Sequence, residues 1–305
     1  MKVSKKCMIA LAILLLASLV LTACKPKWDA ELGTEENPII FVAVPSGETE
    51  RVLAGFDKMA DLLYQSTGLV IKPFVATSYA SAIEALCQDP PKAHMASLAT
   101  FSYILASEKG CAETALVSTR YGSASYNGQF IVRADDPADS IDDLKGYTWC
   151  VSEAFSTSGV VIPKIMFQGV GINPDTDLGE MVEAGSHEAA AAGVYNGDCQ
   201  FATTYVDART RIEEDYPDIM EKTKVIAIEP DIPNDGIQFV KGFPAETKEK
   251  LVTAILDLFN TEEGLAAMDE AYQWSGMERH DDTFYDPFRQ ILDAAGVSAE
   301  DLAKE

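Results

Sequence analysis

Three consecutive hydroxyl side chains stand where a helix is expected to begin. The run Ser156-Thr157-Ser158 follows a strand-like stretch and precedes a helix-like one, with Phe155 and Gly159 on either side. Hydroxyls and the free backbone N–H groups of a helix N-terminus bind anions through neutral donors and the helix dipole. An ordinary N-cap needs only one such hydroxyl. The sequence therefore favours an anion site here over simple capping.

A second expected helix start carries a histidine. The run Gly185-Ser186-His187-Glu188 again separates a strand-like stretch from an Ala-rich helical one. A lone histidine is commonly a surface or core residue, but at the carboxyl end of a strand it can donate a hydrogen bond to an anion. The pair His187-Glu188 is not a zinc-protease motif, because Ala191 stands where the second histidine is required.

Phenols and carboxylates complete the set of candidate ligand-binding side chains. Tyr79 opens a helix and is expected to face the cleft, and Tyr103 and Tyr126 can act in the same way or be half-buried aromatics. Asp207 follows a strand-like stretch, and Asp235 lies in a turn. These two acids can pair with a cationic group of a ligand or accept a proton from an acidic oxygen.

Charge and composition exclude several classes of protein. The chain has 24 Lys+Arg against 48 Asp+Glu, a formal net charge of −24, and 47% apolar residues. The apolar fraction is that of a globular protein rather than a disordered chain. The acidity opposes a nucleic-acid partner. Three histidines leave little material for a metal centre, so no metal and no cofactor are expected, and neutral donors are expected to hold the anion.

The N-terminal residues indicate export. A lysine-containing start precedes an apolar run over residues 8–21, shorter than the about 20 residues of a membrane-spanning helix. Residues 1–23 therefore read as a signal peptide, and the sequence LTAC at residues 21–24 is similar to a bacterial lipobox. We expect lipid on Cys24, a flexible stalk over 24–37, and attachment to the outer face of the bacterial cell membrane. An ordinary signal peptide with an accidental cysteine is the alternative.

The mature chain alternates strand-like and helix-like segments, which is typical of parallel sheets covered by helices. The sequence predicts an α/β fold of two lobes, each a mainly parallel sheet flanked by helices, with two crossover strands as the hinge. Lobe 1 is expected to comprise residues 38–133 and 230–305, and lobe 2 residues 134–229. The ligand cleft then lies between the lobes.

The division into two lobes predicts how four further cysteines pair. Cys87 and Cys111 fall in the predicted lobe 1, and Cys150 and Cys199 in lobe 2. Disulfides persist outside the cytosol, so we expect the pairs Cys87–Cys111 and Cys150–Cys199. Free buried thiols are the alternative. A metal site is less favoured because no CxxC spacing occurs.

These motifs together resemble the phosphate/phosphite/phosphonate-binding proteins of bacterial ABC importers, which have a periplasmic-binding-protein-like fold. The resemblance spans residues 36–255. It is carried by Val42-Ala43-Val44-Pro45 with Glu48, Ala76-Thr77-Ser78-Tyr79 with Ile83-Glu84-Ala85-Leu86, Ser102-Tyr103-Ile104-Leu105-Ala106, Asp142-Asp143-Leu144-Lys145-Gly146, Ser156-Thr157-Ser158-Gly159 with Pro163, Gly171-Ile172, Ala184-Gly185-Ser186-His187 and Ile232-Pro233-Asn234-Asp235.

The resemblance implies a binding protein that closes on a small oxyanion and passes it to the transmembrane subunits of an ABC permease. It implies ligand contacts from Ser156, Thr157, Ser158, Tyr79, Tyr103, His187, Asp235 and Asp207, the last of these for an aminoalkyl group. It does not distinguish phosphate, phosphite and phosphonate.

Three other readings stay open at this point. One is the same fold binding a sulfonate, an amino acid or a vitamin precursor. Another is a surface sensor or adhesin that does not feed a permease. The third is a secreted hydrolase using Ser156 or Ser158, which the lack of a GxSxG elbow disfavours. The sequence therefore predicts a solute-binding protein and not an enzyme.

Overall fold

The computed structural model describes residues 32–298. The predicted signal peptide, Cys24 and part of the stalk lie outside the described residues. The elements below belong to the compact unit that begins at Gly33. Within the described residues, no helix combines the length and the apolar character needed to cross a membrane.

The strands, in chain order, are β1 (Ile39–Ala43), β2 (Ile71–Val75), β3 (Met95–Ser97), β4 (Ala112–Thr119), β5 (Ser125–Tyr126), β6 (Gly128–Arg133), β7 (Trp149–Val151), β8 (Met181–Glu183), β9 (Phe201–Tyr205), β10 (Thr223–Ile228), β11 (Ile232–Pro233), β12 (Gly236–Val240) and β13 (Gly276–Arg279). The α-helices are α1 (Thr49–Thr67), α2 (Tyr79–Cys87), α3 (Thr100–Glu108), α4 (Ile162–Gly169), α5 (His187–Asn196), α6 (Ile219–Lys222), α7 (Ala245–Leu258), α8 (Glu262–Tyr272) and α9 (Asp286–Ala295).

The first sheet has the strand order β13-β4-β12-β3-β1-β2. Strand β1 is parallel to β2 and β3, while β12 is antiparallel to both β3 and β4. The first four strands along the chain therefore point the same way, as the mainly parallel prediction requires. We call this sheet with its helices lobe 1.

The second sheet has the strand order β10-β6-β9-β7-β8. Strand β7 is parallel to β8 and β9, and β6 is antiparallel to β9 and β10. We call this sheet with its helices lobe 2. Strand β6 was expected at the end of lobe 1, but its pairing lies in lobe 2, so the first crossing precedes Gly128 instead of following Arg133. Between the sheets, the short strands β5 and β11 pair antiparallel.

Helix α1 shows how local sequence sets an element. The Glu48 carboxylate accepts hydrogen bonds from the N–H groups of Glu50 and Arg51 at its start, and Gly68 ends it in the left-handed conformation at φ 72°. Its apolar residues recur at helical spacing, so Val52 and Phe56 lie on one buried face. Phe56 packs edge-on against Tyr272 and Trp274 in the core of lobe 1.

The core of lobe 2 follows the alternation of strand β6. Phe130 packs on one side of the sheet with Trp149 and Phe167. The next residue, Ile131, faces the other side with Ala190 of α5. Helices therefore cover both faces of this sheet, and the strand ends are left to meet the other lobe.

The structure contains one disulfide bond in each lobe. Cys87 at the end of α2 is bonded to Cys111, with a Cα–Cα distance of 5.0 Å. Cys150 in β7 is bonded to Cys199, with a Cα–Cα distance of 5.7 Å. These are the pairs that the predicted lobe division favours.

Candidate functional site

A cavity of about 80 Å³ lies between the two lobes. Much of its lining comes from segments that follow β1, β2 and β3 of lobe 1 and β7, β8 and β9 of lobe 2. These are the parallel strands of the two sheets, and their carboxyl ends meet here. Ligands of open α/β sheets bind at such an edge.

The Ser-Thr-Ser turn forms one wall of the cavity. Ser156, Thr157 and Ser158 all line it and are each 1% exposed. Ser156 is the N-cap residue, and its Oγ accepts a hydrogen bond from the Gly159 N–H at 3.1 Å. Capping thus occupies Ser156, whereas Ser158 has no capping role. The wide helical turn Thr157–Val161 follows and continues into α4.

Gly159 allows the turn to close tightly. A Cβ atom at this position would lie 2.7 Å from the Oγ atoms of Ser152 and Ser156. Any side chain would therefore push the two hydroxyls apart.

His187 stands beside this turn as the first residue of α5. Its Nε2 lies 3.2 Å from Ser156 Oγ and 3.4 Å from Ser152 Oγ. The Nδ1 atom is buried and has no hydrogen-bond partner among the described residues. The ring packs edge-on against Tyr205, with centroids 5.0 Å apart. The two helix starts singled out in the sequence thus lie in contact at the cavity wall.

Burial lowers the pKa of His187 from 6.5 to about 3. The histidine is therefore neutral in the folded protein, and it offers one donor and one acceptor nitrogen.

The buried histidine should make stability depend on pH. Between pH 6.5 and 3 the unfolded chain binds a proton at His187 that the folded chain does not, so stability falls as pH falls. For this residue the loss between pH 7.5 and 4.5 is about 2.5 kcal/mol. Urea unfolding should show that His187→Gln loses less stability than the unchanged protein by about that amount. Equal losses in the two proteins would contradict the buried, neutral histidine.

Comparing the two proteins removes the opposing contribution of the buried acids. Burial raises the pKa of Glu153, Glu188 and Glu229, so these groups favour the folded state as pH falls. They are common to both proteins in the comparison.

Four phenols surround the cavity, of which Tyr79 and Tyr272 are buried and Tyr126 and Tyr205 are half-buried. Tyr79, Tyr126, Tyr205 and Tyr272 line it, and burial raises the pKa of each well above its usual value. They are thus neutral hydroxyls, although the Tyr272 O–H already donates to the Val44 carbonyl. Tyr79 lies at the cleft, as the sequence predicts. Tyr126, for which the sequence allowed either a cleft position or a half-buried one, also lines the cavity. Tyr205 and Tyr272 are not among the sequence candidates.

Three arginines line the cavity, and the sequence analysis missed all of them. Arg51 comes from α1, Arg120 from the end of β4, and Arg211 from the turn after β9. The expectation that neutral donors hold the anion did not include these guanidinium groups, which supply positive charge as well as hydrogen-bond donors. The formal charge of −24 is that of the whole chain and not of this cavity.

Asp235 lines the cavity as expected, but it is already paired. Its Oδ1 lies 2.6 Å from Arg120 Nη1 and accepts a second hydrogen bond from Ser118 Oγ at 3.2 Å. Its Oδ2 accepts from Trp274 Nε1 at 3.1 Å. The carboxylate is a partner for Arg120 before it can be a partner for a ligand.

Tyr103 does not line the cavity. It is a fully buried residue of α3, its O–H donates to Asp282 Oδ1 at 2.7 Å, and its oxygen accepts from the Thr114 N–H at 3.1 Å. Both functions of the phenol are used inside lobe 1, so the ligand contact expected for it is corrected.

Asp207 does not line the cavity either. Arg209 donates to its two oxygens at 2.8 and 2.5 Å, and Gln129 Nε2 donates at 2.8 Å. Burial works to raise the pKa of Asp207, but these hydrogen bonds outweigh it and the pKa is lowered. The expected contact with an aminoalkyl group is corrected, because this carboxylate already has a cationic partner.

Side chains of lobe 2 cap helices of lobe 1. Glu153 Oε1 accepts from the Tyr79 N–H at the start of α2, at 3.1 Å. Thr157 Oγ1 accepts from the Phe101 N–H at 3.1 Å, and α3 has no capping side chain of its own. Lobe 2 therefore completes the hydrogen bonding at two helix starts of lobe 1.

Comparisons with known proteins agree with the resemblance found in the sequence. A family model described as "ABC transporter, phosphonate, periplasmic substrate-binding protein" matches residues 41–285. The phosphate-import protein PhnD of Mycolicibacterium smegmatis is 26% identical over 217 residues, 67% of this chain and 67% of that one.

Two solved structures share the fold. A binding protein component of an ABC phosphonate transporter from Pseudomonas aeruginosa has a TM-score of 0.77 at 24% identity, over 85% of this chain and 87% of that chain. PhnD1 from Prochlorococcus marinus, in complex with methylphosphonate, has a TM-score of 0.73 at 15% identity, over 85% and 98%. The predicted two-lobed α/β architecture is confirmed.

Proposed function

Because the chain belongs to the phosphonate-binding family of ABC transporter periplasmic substrate-binding proteins, we propose that it binds a phosphate, phosphite or phosphonate ion between its lobes. The family match confirms the predicted family. Members of this family bind a substrate for transport and are not enzymes, so the prediction that the chain is not an enzyme is confirmed as well. The hydrolase alternative is accordingly set aside.

One observation carries the proposal. Hydroxyls of lobe 2, at Ser156 and Ser158, open onto the same cavity as guanidinium groups of lobe 1, at Arg51 and Arg120. An oxyanion that accepts hydrogen bonds from both sides holds the lobes together. Neutral and charged donors converging on one small space suit an ion with several equivalent oxygens.

The energetics are consistent with this arrangement. Micromolar binding needs about 8 kcal/mol. A hydrogen bond to a charged group contributes about 1.5–3 kcal/mol. Several such bonds supply the total after the costs of ordering and of lobe closure are subtracted. The arginines, the two serines and the phenols of the lining are the side chains that can supply such bonds.

Glu153 should matter for affinity although it does not line the cavity. Its carboxylate bridges the lobes through the Tyr79 N–H and also accepts from the Phe155 N–H at 2.7 Å. Glu153→Met removes both acceptors and keeps the shape, so the closed form loses stability and ligand affinity falls about tenfold. Glu153→Gln retains an acceptor oxygen and should recover most of the affinity. Calorimetric titration measures both, and equal affinity for Met and Gln would show that closure does not depend on this contact.

The bound, closed form is proposed to dock on the transmembrane subunits of an ABC permease. Lipid on Cys24 would keep the protein at the outer face of the bacterial cell membrane, next to that permease. Mass spectrometry of the protein extracted from membranes tests the proposed anchor. We expect a mature N-terminus at Cys24 that carries lipid. An unmodified mature N-terminus would contradict it.

Calorimetric titration with phosphate, phosphite and methylphosphonate tests the proposed ligand class. Two relatives support the panel: one is named a phosphate-import protein, and PhnD1 was solved with methylphosphonate. We expect micromolar or tighter binding of at least one of the three. Sulfate and a sulfonate serve as controls of similar shape. Binding of a sulfonate alone would favour the same fold acting on another solute.

A further inference from the structure

Both carboxylates that line the cavity are held by arginines. Arg120 Nη1 lies 2.6 Å from Asp235 Oδ1, and Arg51 Nη2 lies 2.6 Å from Glu188 Oε1. The four side chains are 7–21% exposed. Water therefore screens these ion pairs weakly, and each acid already has a cationic partner.

The remaining charged groups of the lining add to the positive side. Arg211 lines the cavity and forms no ion pair with a described carboxylate; its Nη2 donates to the Glu270 carbonyl at 3.3 Å. His187 is neutral because it is buried. Three arginines thus face two carboxylates across the cavity, which leaves one positive charge in excess.

One carboxylate oxygen in the lining has no described partner. Glu188 Oε2 is buried without a hydrogen bond, and it is the natural place to look for an ammonium contact. Arg51 and Arg211 both act electrostatically on this carboxyl group. A cation that approached Oε2 would therefore meet two guanidinium groups, whose repulsion is strong in a poorly solvated site.

We propose that this cavity selects phosphorus oxyanions whose fourth substituent carries no positive charge, and that it discriminates against aminoalkylphosphonates. The arginines neutralise the cavity acids and leave an excess positive charge for the oxyanion. This inference rests on the proposed function. It names the ion pairs Arg120–Asp235 and Arg51–Glu188 as the determinants of that choice.

Two ligands of equal shape separate charge from size. 1-Propylphosphonate and 2-aminoethylphosphonate have the same number of heavy atoms and differ in a terminal methyl or ammonium group. We expect calorimetry on the unchanged protein to give at least about tenfold weaker binding for the amino compound. If both chains are too long to bind, ethylphosphonate and aminomethylphosphonate provide the same comparison at smaller size.

The outcomes distinguish this inference from the proposed function. Equal or tighter binding of the amino compound overturns the inference while leaving phosphonate binding in place. Silence towards phosphate, phosphite and every phosphonate overturns both. Binding of the neutral compound with the expected preference supports both.

A variant tests the residues named. Arg120→Gln removes the cationic partner of Asp235. The ratio of the affinities for the neutral and the amino compound should therefore fall about tenfold. Arg279→Gln removes an exposed arginine that pairs with Glu249 outside the cavity, and it should leave the preference unchanged. If Arg120→Gln folds and keeps the full preference, the Arg120–Asp235 pair is not the determinant. If it does not fold, the comparison of ligands on the unchanged protein still decides the inference.

Discussion

Replacing Ser158 with alanine is expected to weaken binding of the phosphorus oxyanion about ten- to hundredfold. Ser158 is buried at the cavity wall, and a neutral hydroxyl that donates to an anion contributes about 1.5–3 kcal/mol. Its neighbour Ser156 caps the following turn, but Ser158 does not. The loss should therefore appear in affinity and not in the free energy of unfolding.

Calorimetric titration measures this effect, with whichever of phosphate, phosphite and methylphosphonate binds the unchanged protein with the highest affinity. Ser66→Ala is the matched control: it deletes a hydroxyl on α1 that donates to the carbonyls of Leu62 and Leu63 in its own helix. We expect unchanged affinity for that control. An affinity of Ser158→Ala within twofold of the unchanged protein would remove the Ser-Thr-Ser turn from the binding site.

The Asp235→Ala variant should be destabilised by about 3 kcal/mol. Asp235 holds Arg120 at 2.6 Å and accepts from Trp274 Nε1 at 3.1 Å. Removing the carboxylate leaves a largely buried guanidinium without its counterion, and such a loss costs about 3–5 kcal/mol in a buried pair. Partial exposure of both side chains places the expected value at the lower end of that range.

Urea unfolding compares this variant with Glu249→Ala. Glu249 forms an exposed pair with Arg279, with the two side chains 64% and 48% exposed. Breaking an exposed pair costs about 1 kcal/mol or less. Similar losses for the two variants would mean that Asp235 does not have the structural role assigned to it.

The parts of the site that are local in sequence could be predicted. Each of the runs around Ser156 and His187 is a strand end followed by a helix start, and strand alternation already placed them at one edge of a sheet. Their meeting at 3.2 Å follows from parallel pairing of neighbouring strands. Tyr79 was found for the same reason.

The arginines could not be predicted in this way. Arg51, Arg120 and Arg211 come from distant parts of the chain, and no local pattern separates them from surface arginines. Only the folded arrangement turns them towards one cavity. Their partners could not be read from the sequence either, since Asp235 pairs with a residue 115 positions away.

The corrected assignments depend on contacts that the pattern of strands and helices does not reveal. Tyr103 and Asp207 occupy reasonable positions along the chain, but the direction of each side chain is set by its partner. Asp282 accepts from Tyr103 at a sequence separation of 179 residues. Asp207 accepts from Gln129 at a separation of 78 residues and from Arg209 at a separation of two. Strand β6 was placed in the wrong lobe because a hydrophobic pattern predicts a strand without naming the sheet that it joins.

A crystal structure of the protein grown with methylphosphonate tests the central claim most directly. We expect the phosphonate oxygens to lie within hydrogen-bonding distance of the Ser156-Thr157-Ser158 turn in lobe 2 and of at least one arginine from lobe 1. Occupancy elsewhere, or a cavity that holds only water at saturating ligand, would contradict the binding of a phosphorus oxyanion between the lobes.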